Sequence, residues 1–555
     1  MSLNEFPDEV LEHIFSFLNV YDRLTASLVS KRWLHLTDRR HLLEDIYVVF
    51  QDNAKDGDDV FNSMSRKFLC FKFIRHEIDA QYIEFLKKYI TQIHSLLFFS
   101  CVLDRKALES SGKLDSFSNL KCLKIIGCDM FDLFSFSFPN LRELYVDSGA
   151  NLTDKIIQDL GNTMPNLKVL SLACQITHQP PILKRFYPSG TTVEKNPSEM
   201  ILSFSAVQLF ISKRAETLTA LDLKKTILLS SSAFIHLSKI DNLKLQDVTF
   251  ACALKCIDSL AKFCENQPYL KSINLDCVYT LRDENLKSVC LLLPNLRKIS
   301  IKHCKYINDS LKYIFQLKRL QRLDISGCCI TQSTFTEAIR ESQLTNLRAL
   351  SASNCQITDI IAIELVQKTP YLEYLNLSGC DIGNETLKTV SNFLIHLKYL
   401  NLKNCMISDE GLLGKIQQSS TTYNNRDENM SKLLSNIKGL EELNLSGCYK
   451  ITDASVTQAI QFQYLQVLNL EGCEKISDSA MVPILQKNPC LREVIRTNCI
   501  LEALEYRMRD LVTYFTFLLL KYWRYQLSEN CSTEFCTLKT KLSDNYIKEC
   551  FTVYN

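Results

Sequence analysis

Apolar residues recur along this chain in the order Leu-x-x-Leu-x-Leu, with a period near 25 residues. Clean copies begin at Leu270, Leu296, Leu320, Leu347, Leu372 and Leu397. They continue at Leu440, Leu465 and Leu491, the last with Val and Arg at its later apolar positions. Earlier copies begin at Leu120, Leu141, Leu167, Leu218 and Ile240, and degenerate ones at Leu43, Phe68 and Ile93. The pattern predicts roughly 17 stacked units, or rungs. Three apolar anchors followed by a small polar turn predict a short strand. Its alternate positions face opposite sides.

Each strand is followed by Ile-Thr-Asp or a variant: Ile357-Thr358-Asp359, Ile407-Ser408-Asp409, Ile451-Thr452-Asp453, Ile476-Ser477-Asp478. Ser, Thr or Asp there predicts a helix N-cap. A helical stretch of about ten residues comes next. Pro then stands two residues before the following Leu at 139, 165, 268, 294, 370 and 489, where it helps stop the helix. Strand plus helix at this period is the leucine-rich-repeat signature.

Two breaks interrupt the period. Leu167 and Leu218 are 51 residues apart, with His178-Gln179-Pro180-Pro181 and Tyr187-Pro188-Ser189-Gly190 between them. An inserted loop is expected there, with room for a degenerate rung. Leu397 and Leu440 are 43 residues apart, and the polar stretch Gln417 to Asp427 accounts for the excess. Beyond Cys499, Leu504, Met508, Leu511, Phe515, Leu518 and Tyr522 mark one face of a helix. A solenoid end exposes its core, so this segment is expected to cap it.

The first 40 residues follow a different rule. Leu11, Ile14, Phe15 and Leu18 sit at i, i+3, i+4, i+7 and predict an amphipathic helix near residues 8–18. Pro7 suits its first turn, and Asp8 and Glu9 complement its positive end. Asp22 is placed to cap a second short helix carrying Leu24 and Leu28, and Ser30 a third carrying Trp33 and Leu36. Three short helices cannot bury a self-sufficient core, so their surplus apolar surface should pack on the first rungs or on a partner.

Composition narrows the functions. The chain has 555 residues, with Lys plus Arg 64 against Asp plus Glu 62, which argues against a general nucleic-acid binder. There is no run of about 20 apolar residues, so no membrane span is expected. Met1-Ser2-Leu3-Asn4-Glu5 is not a basic signal-peptide start. Of 23 cysteines, 12 fall in essentially one column, three residues past the third anchor or one earlier. They include Cys101, Cys128, Cys304, Cys328, Cys355, Cys380, Cys405, Cys448, Cys473 and Cys499. Buried, reduced thiols donating weakly to backbone carbonyls are expected. There is no Cys-x-x-Cys pair, and His303-Cys304 lacks a zinc-spaced partner, so no metal and no cofactor are expected. Phosphate-loop, His-Glu-x-x-His and Gly-x-Ser-x-Gly motifs are absent, and the nine histidines are scattered. No catalytic residue is expected.

Residues 6–36 resemble an F-box. The shared line is Phe6-Pro7-Asp8-Glu9, Leu11, Ile14-Phe15, Leu18, Asp22, Val29, Trp33 and Leu36. Phe6 stands where Leu is usual, Arg23 where Leu usually follows the Asp, and Ser30 where Cys is frequent. Leu443-Asn444-Leu445-Ser446-Gly447-Cys448 resembles the cysteine-containing subtype of leucine-rich repeat. The combination, over most of residues 6–499, resembles the F-box/leucine-rich-repeat family.

That resemblance implies an α/β architecture: a three-helix F-box, then a curved solenoid with a parallel sheet inside and helices outside. The expected divisions are an F-box at 1–40, degenerate repeats at 41–116, the solenoid at 117–499 and a helical cap and tail at 500–555. Insertions are expected near 176–215 and 413–432. The resemblance also implies a non-catalytic substrate receptor of an SCF ubiquitin ligase, in the cytoplasm or nucleus. Its partners would be a Skp-type adaptor and, through it, cullin and RING subunits. The competing reading is a scaffold in a ligase-independent Skp complex. The expected adaptor ridge is Leu11, Ile14, Phe15 and Leu18, with Pro7, Val29 and Trp33. Positions three, five and seven of each rung should face the concave sheet. There Lys298, Lys302, Arg322, Tyr374 and Tyr399 are the expected target-binding residues, with Lys244, Lys224 and Lys403 on the same surface and Glu442, Glu471 and Glu493 beyond the tyrosines.

Overall fold

The computed structural model describes residues 5–51, 67–104, 106–107, 116–128, 136–147, 152–178, 180–188, 191–225, 231–252, 257–414 and 433–496. Cys499, the segment 500–555 and nearly all of the 413–432 insertion lie outside the described residues. The chain divides into two compact units, Met1–Thr280 and Leu281–Asn555.

The first unit opens with three helices, α1 (Asp8–Phe17), α2 (Val20–Ala26) and α3 (Lys31–Thr37). Pro7 precedes α1, and the Ser30 side chain caps α3 by accepting from the Trp33 N–H at 3.1 Å. The second helix is capped differently from the expectation. Asn19, not Asp22, accepts from the Asp22 N–H at 3.0 Å, and Asp22 answers by accepting from the Asn19 amide at 2.7 Å. Among the described residues nine parallel strands of one sheet follow: Tyr47–Gln51, Cys70–Ile74, Ser95–Phe99, Cys122–Ile126, Glu143–Asp147, Val169–Leu172, Ala220–Asp222, Asp247–Thr249 and Ser272–Asn274, while Glu77–Ile78 and Val102–Leu103 form a small parallel pair of their own. The second unit carries eight more: Lys298–Ser300, Arg322–Asp324, Ala349–Ser351, Tyr374–Asn376, Tyr399–Asn401, Glu442–Asn444, Val467–Asn469 and Glu493–Ile495. Parallel neighbours joined by outward helices are the α/β organisation that the period requires.

Between the first and last strands, where Val48 and Val494 are only half-buried, the middle anchor points into the core. Leu323, Leu350, Leu375, Leu400, Leu443 and Leu468 are all at most 2% exposed, under helix residues such as Phe335, Leu365 and Val390. Strands stay three residues long because a side chain ends them. The carboxylate or amide oxygen of Asp324, Asn376, Asn401, Asn444 and Asn469 accepts from the N–H two residues on, at 2.9–3.1 Å. The chain then turns through a left-handed residue, as at Gly447 (φ 70°), where a Cβ would meet the Asn404 side chain at 2.0 Å.

Two rungs begin later than their sequence pattern indicates. Tyr47 pairs with Cys70, which starts the first rung at Asp45 rather than Leu43. Asp247 pairs with Ala220, so the rung expected at Ile240 starts at Leu245, with Val248 and Phe250 as its inner anchors. Lys244 therefore precedes the strand and does not face the sheet surface. Its ammonium lies 5.8 Å from the Tyr269 ring centre instead.

The insertion after Val169–Leu172 contains no extra rung strand among the described residues. Val169 pairs directly with Ala220, and the 51-residue excursion carries helices Pro180–Phe186 and Phe204–Ser212. Asp154, fully buried, holds it in place. It accepts from the Tyr187 hydroxyl and the Ser203 N–H, and the Ser198 N–H donates to the same hydroxyl at 2.8 Å.

Asp154 is one member of a recurring device. Asp283 accepts from the N–H groups of Asn308 and Ser310 at 2.9 Å. Asp359 accepts from the Gly383 N–H at 2.9 Å, the Thr386 N–H at 3.2 Å and the Thr386 hydroxyl. Asp409 accepts from the Thr452 N–H and hydroxyl, both at 2.7 Å, and Asp453 from the Ser477 N–H at 2.6 Å. The aspartate of Ile-Thr-Asp thus bonds the next rung. The expected local caps at Thr358, Ser408 and Thr452 make no side-chain bond to their own helices, because those groups serve or flank the inter-rung contact.

Candidate functional site

The three N-terminal helices bury one apolar set and expose another. Leu11 and Phe15, both 1% exposed, form an internal core with Ala26, Leu36 and Leu42. Leu18 and Trp33 pack partly buried against it, and the Trp33 ring meets Phe15 edge-on at 5.1 Å. Leu11 and Phe15 therefore hold the helices together and cannot act as docking anchors. Of the expected ridge, Pro7 and Val29 are exposed and Ile14 is half-buried. The accessible apolar side chains are Val10 (40% exposed), Phe17 (76%), Leu28 (72%), Val29 (59%) and Leu34 (36%). Val10, Ile14 and Phe17 share one face of α1 by their spacing. The start of α3 lies beside the start of α1, where Arg32 donates to Asp8 at 2.6 Å and to the Phe6 carbonyl at 2.7 Å. The signal was present in the sequence. An amphipathic stripe normally turns inward, so the apolar residues off the stripe were the better candidates for a partner.

This helical module is joined to the first strands by packing and charge. Val20 and Leu24 pack on Leu43, Ile46, Leu69 and Cys70. Arg23, 5% exposed, pairs with Asp45 at the entry to the first strand. Arg40 meets the His94 ring, whose pKa is lowered chiefly by burial and also by Arg40. Arg23, which departs from the family's usual Leu, is thus one of the links between the helices and the first strand.

In the second unit one surface column reads Lys298, Arg322, Ala349, Tyr374, Tyr399, Glu442, Val467 and Glu493, residue beside residue across adjacent strands. The structure brings Tyr374 and Tyr399 together, with rings parallel within 4° and centres 4.2 Å apart. Burial, then Tyr399, raises the Tyr374 pKa. Lys298 and Arg322 are neighbours on the basic side. Lys302 pairs with Asp324 at 3.0 Å and is partly neutralised, and in the first unit Lys224 pairs with Asp222 at 3.5 Å. The Glu442 pKa is raised by burial and by repulsion from Glu441 and Glu493.

The thiols behind the sheet are structural. Each donates to a carbonyl of the preceding rung: Cys328 to Ile301 (3.1 Å), Cys355 to Ile325 (3.2 Å), Cys380 to Ala352 (3.1 Å), Cys405 to Leu377 (3.3 Å) and Cys448 to Leu402 (3.3 Å). Burial pushes Cys355, Cys405 and Cys448 up to about 12. Among the described residues no group of three His, Cys, Asp or Glu is placed to hold a metal ion, and no helix is long and apolar enough to cross a membrane.

Comparison with known proteins joins the two halves of this picture. The F-box domain profile matches residues 3–45, and the leucine-rich-repeat profile matches residues 369–391 and 394–414. The chain is an F-box/leucine-rich-repeat protein. F-box and leucine-rich-repeat domains are typical of non-catalytic adaptor and receptor proteins, and this F-box/leucine-rich-repeat protein has the architecture of an F-box substrate adaptor. Among solved structures it is similar to the yeast Rad7 and Elc1 complex (20% identity, 52% of this chain and 80% of that chain, TM-score 0.39). It is also similar to a TLR13–ssRNA13 complex (15%, 82% and 68%, 0.38) and to a leucine-rich-repeat protein of Leptospira interrogans (17%, 81% and 100%, 0.36). None of the three is close enough to bear on function.

Proposed function

We propose that this chain is the substrate-recognition subunit of an SCF-type E3 ubiquitin ligase. The exposed F-box side chains Pro7, Val10, Phe17, Leu28, Val29 and Leu34, with half-buried Ile14, dock a Skp-type adaptor, which brings the cullin and RING subunits. The repeats capture a target protein for ubiquitination and proteasomal degradation. The observation that supports this reading best is the exposed apolar set on helices whose inner set is already satisfied. Phe17 and Leu28 stand in water beside Val10, Val29 and Leu34 on one small helical module, and grouped exposed apolar side chains mark a protein-contact surface. The Arg23–Asp45 pair and the Leu24 contacts fix the F-box helices on the first strands of the repeats. The chain then contributes proximity, not chemistry.

The test is co-purification with a Skp-type adaptor and cullin, followed by target ubiquitination. Val10→Glu with Leu28→Glu places charge on exposed positions and leaves the inner core intact. Loss of two anchors of ~2 kcal/mol each predicts adaptor binding at least ~100-fold weaker with unchanged thermal stability. Full adaptor binding by that variant would sink the docking assignment. Adaptor binding without cullin or ubiquitin transfer would favour the ligase-independent scaffold.

A further inference from the structure

We propose that the inner sheet face of residues 298–495 binds an extended, dipolar segment of a partner protein, with acidic side chains over Lys298 and Arg322 and an arginine about six residues away between Tyr399 and Glu442. The inference rests on the reading that the repeats capture a target, and it gives that target a chemistry.

Three features of the column argue for it. Its ends are opposite in sign and unneutralised. Among the described residues Lys298, Arg322, Glu442 and Glu493 make no ion pair within the molecule, although Lys298 lies beside Arg322 and only Val467 separates Glu442 from Glu493. Like charges held side by side favour a ligand of the opposite sign, and here that ligand must carry both signs.

The second feature is ring orientation. Tyr374 and Tyr399 stack along the direction in which rungs succeed one another, so their free faces look opposite ways. The free face of Tyr399 looks toward the Glu442 rung. A guanidinium there stacks on the ring and forks to the carboxylate. Burial and repulsion already act against the Glu442 charge, so a cation gains more there than at a solvated glutamate. The free face of Tyr374 looks toward Ala349, whose side chain is a single methyl.

The third is length. Arg322 to Glu442 is four strand steps, through Ala349, Tyr374 and Tyr399. At ~4.8 Å per step this is roughly 19 Å, and an extended peptide at ~3.3 Å per residue covers it in about six residues.

The experiment uses the full chain in its adaptor complex and fluorescence anisotropy with short labelled peptides in a Gly/Ser background. One carries a Glu pair and an Arg pair six residues apart, in both chain directions. The others carry the same residues two apart, only Glu, or only Arg. The six-residue dipolar peptide is expected to bind at least about tenfold tighter than any other. Lys298→Glu with Arg322→Glu should move the preference to the all-Arg peptide, and Glu442→Lys with Glu493→Lys to the all-Glu peptide. Equal binding of the all-Glu and dipolar peptides, no saturable binding of any peptide, or preferences unmoved by the variants would overturn the proposal. If those results come with normal adaptor and cullin binding, the receptor reading stands and only the dipolar site fails. Failure of the wild-type chain to bind an adaptor removes the receptor reading instead.

Discussion

Asp359→Ala removes one side chain that ties two rungs together. Asp359 accepts from the Gly383 N–H, the Thr386 N–H and the Thr386 hydroxyl, and Thr386 is fully buried. A hydrogen bond to a charged group contributes ~1.5–3 kcal/mol, and a buried donor left alone costs ~1–3 kcal/mol. Gly383 is only half-buried, so water replaces part of the loss, and a net effect of ~2–4 kcal/mol is expected. In a solenoid this acts on one nearest-neighbour interface and not on the whole array. Local opening of the Asn384–Phe393 helix start should therefore become ~30- to ~1000-fold more frequent. Native-state hydrogen exchange across residues 380–394 reads it, with residues 442–470 as the internal control. Asp359→Asn keeps one carbonyl acceptor and should lose about half as much. Unchanged exchange at Gly383 and Thr386 in the Ala variant would refute the inter-rung role. So would an Asn variant as damaged as the Ala variant.

Other outcomes follow from the same contacts. In native protein the exposed Cys329 and Cys490 should react with a thiol reagent well before Cys355, Cys405 and Cys448, whose buried thiols are pushed up to about 12; simultaneous labelling, read by mass spectrometry, would contradict their burial. Burial alone would raise the Asp283 pKa, but bonds from Ser310 and Asn308 outweigh it and hold it below the ordinary range. Its contribution is therefore present above the unfolded value of ~3.9 and lost as pH falls through the lower folded value, so Asp283→Ala should destabilise at pH 7 and matter little at strongly acid pH. Leu11→Ala, in the internal helical core, should destabilise by ~2–5 kcal/mol in chemical denaturation, whereas a surface role predicts almost none.

The repeats were legible because their physics is local and repeated. Anchors such as Leu323, Leu350 and Leu375 announce burial by period alone, and the register of Tyr374 with Tyr399 follows from it. Errors came where two apolar phases compete. Ile240 and Leu245 both begin plausible anchor sets, and only pairing with Ala220 selects Leu245. The partners of Asp359 and Asp409 were not legible, since an aspartate at a helix start reads as a local cap until the next rung is in place. Arg23 looked like a departure from a pattern because Asp45, its partner, belongs to the first strand. On α1, spacing revealed an apolar stripe but not which of two apolar sets faces inward; α3 and Leu42 decide that.

The most direct test of the receptor reading is reconstitution of the full chain with a Skp-type adaptor, cullin and RING subunits, comparing wild type with Val10→Glu/Leu28→Glu in ubiquitin transfer to captured target. The account predicts transfer by the wild type and none by the variant, with both chains equally stable and both still binding target. Equal transfer by both would contradict it.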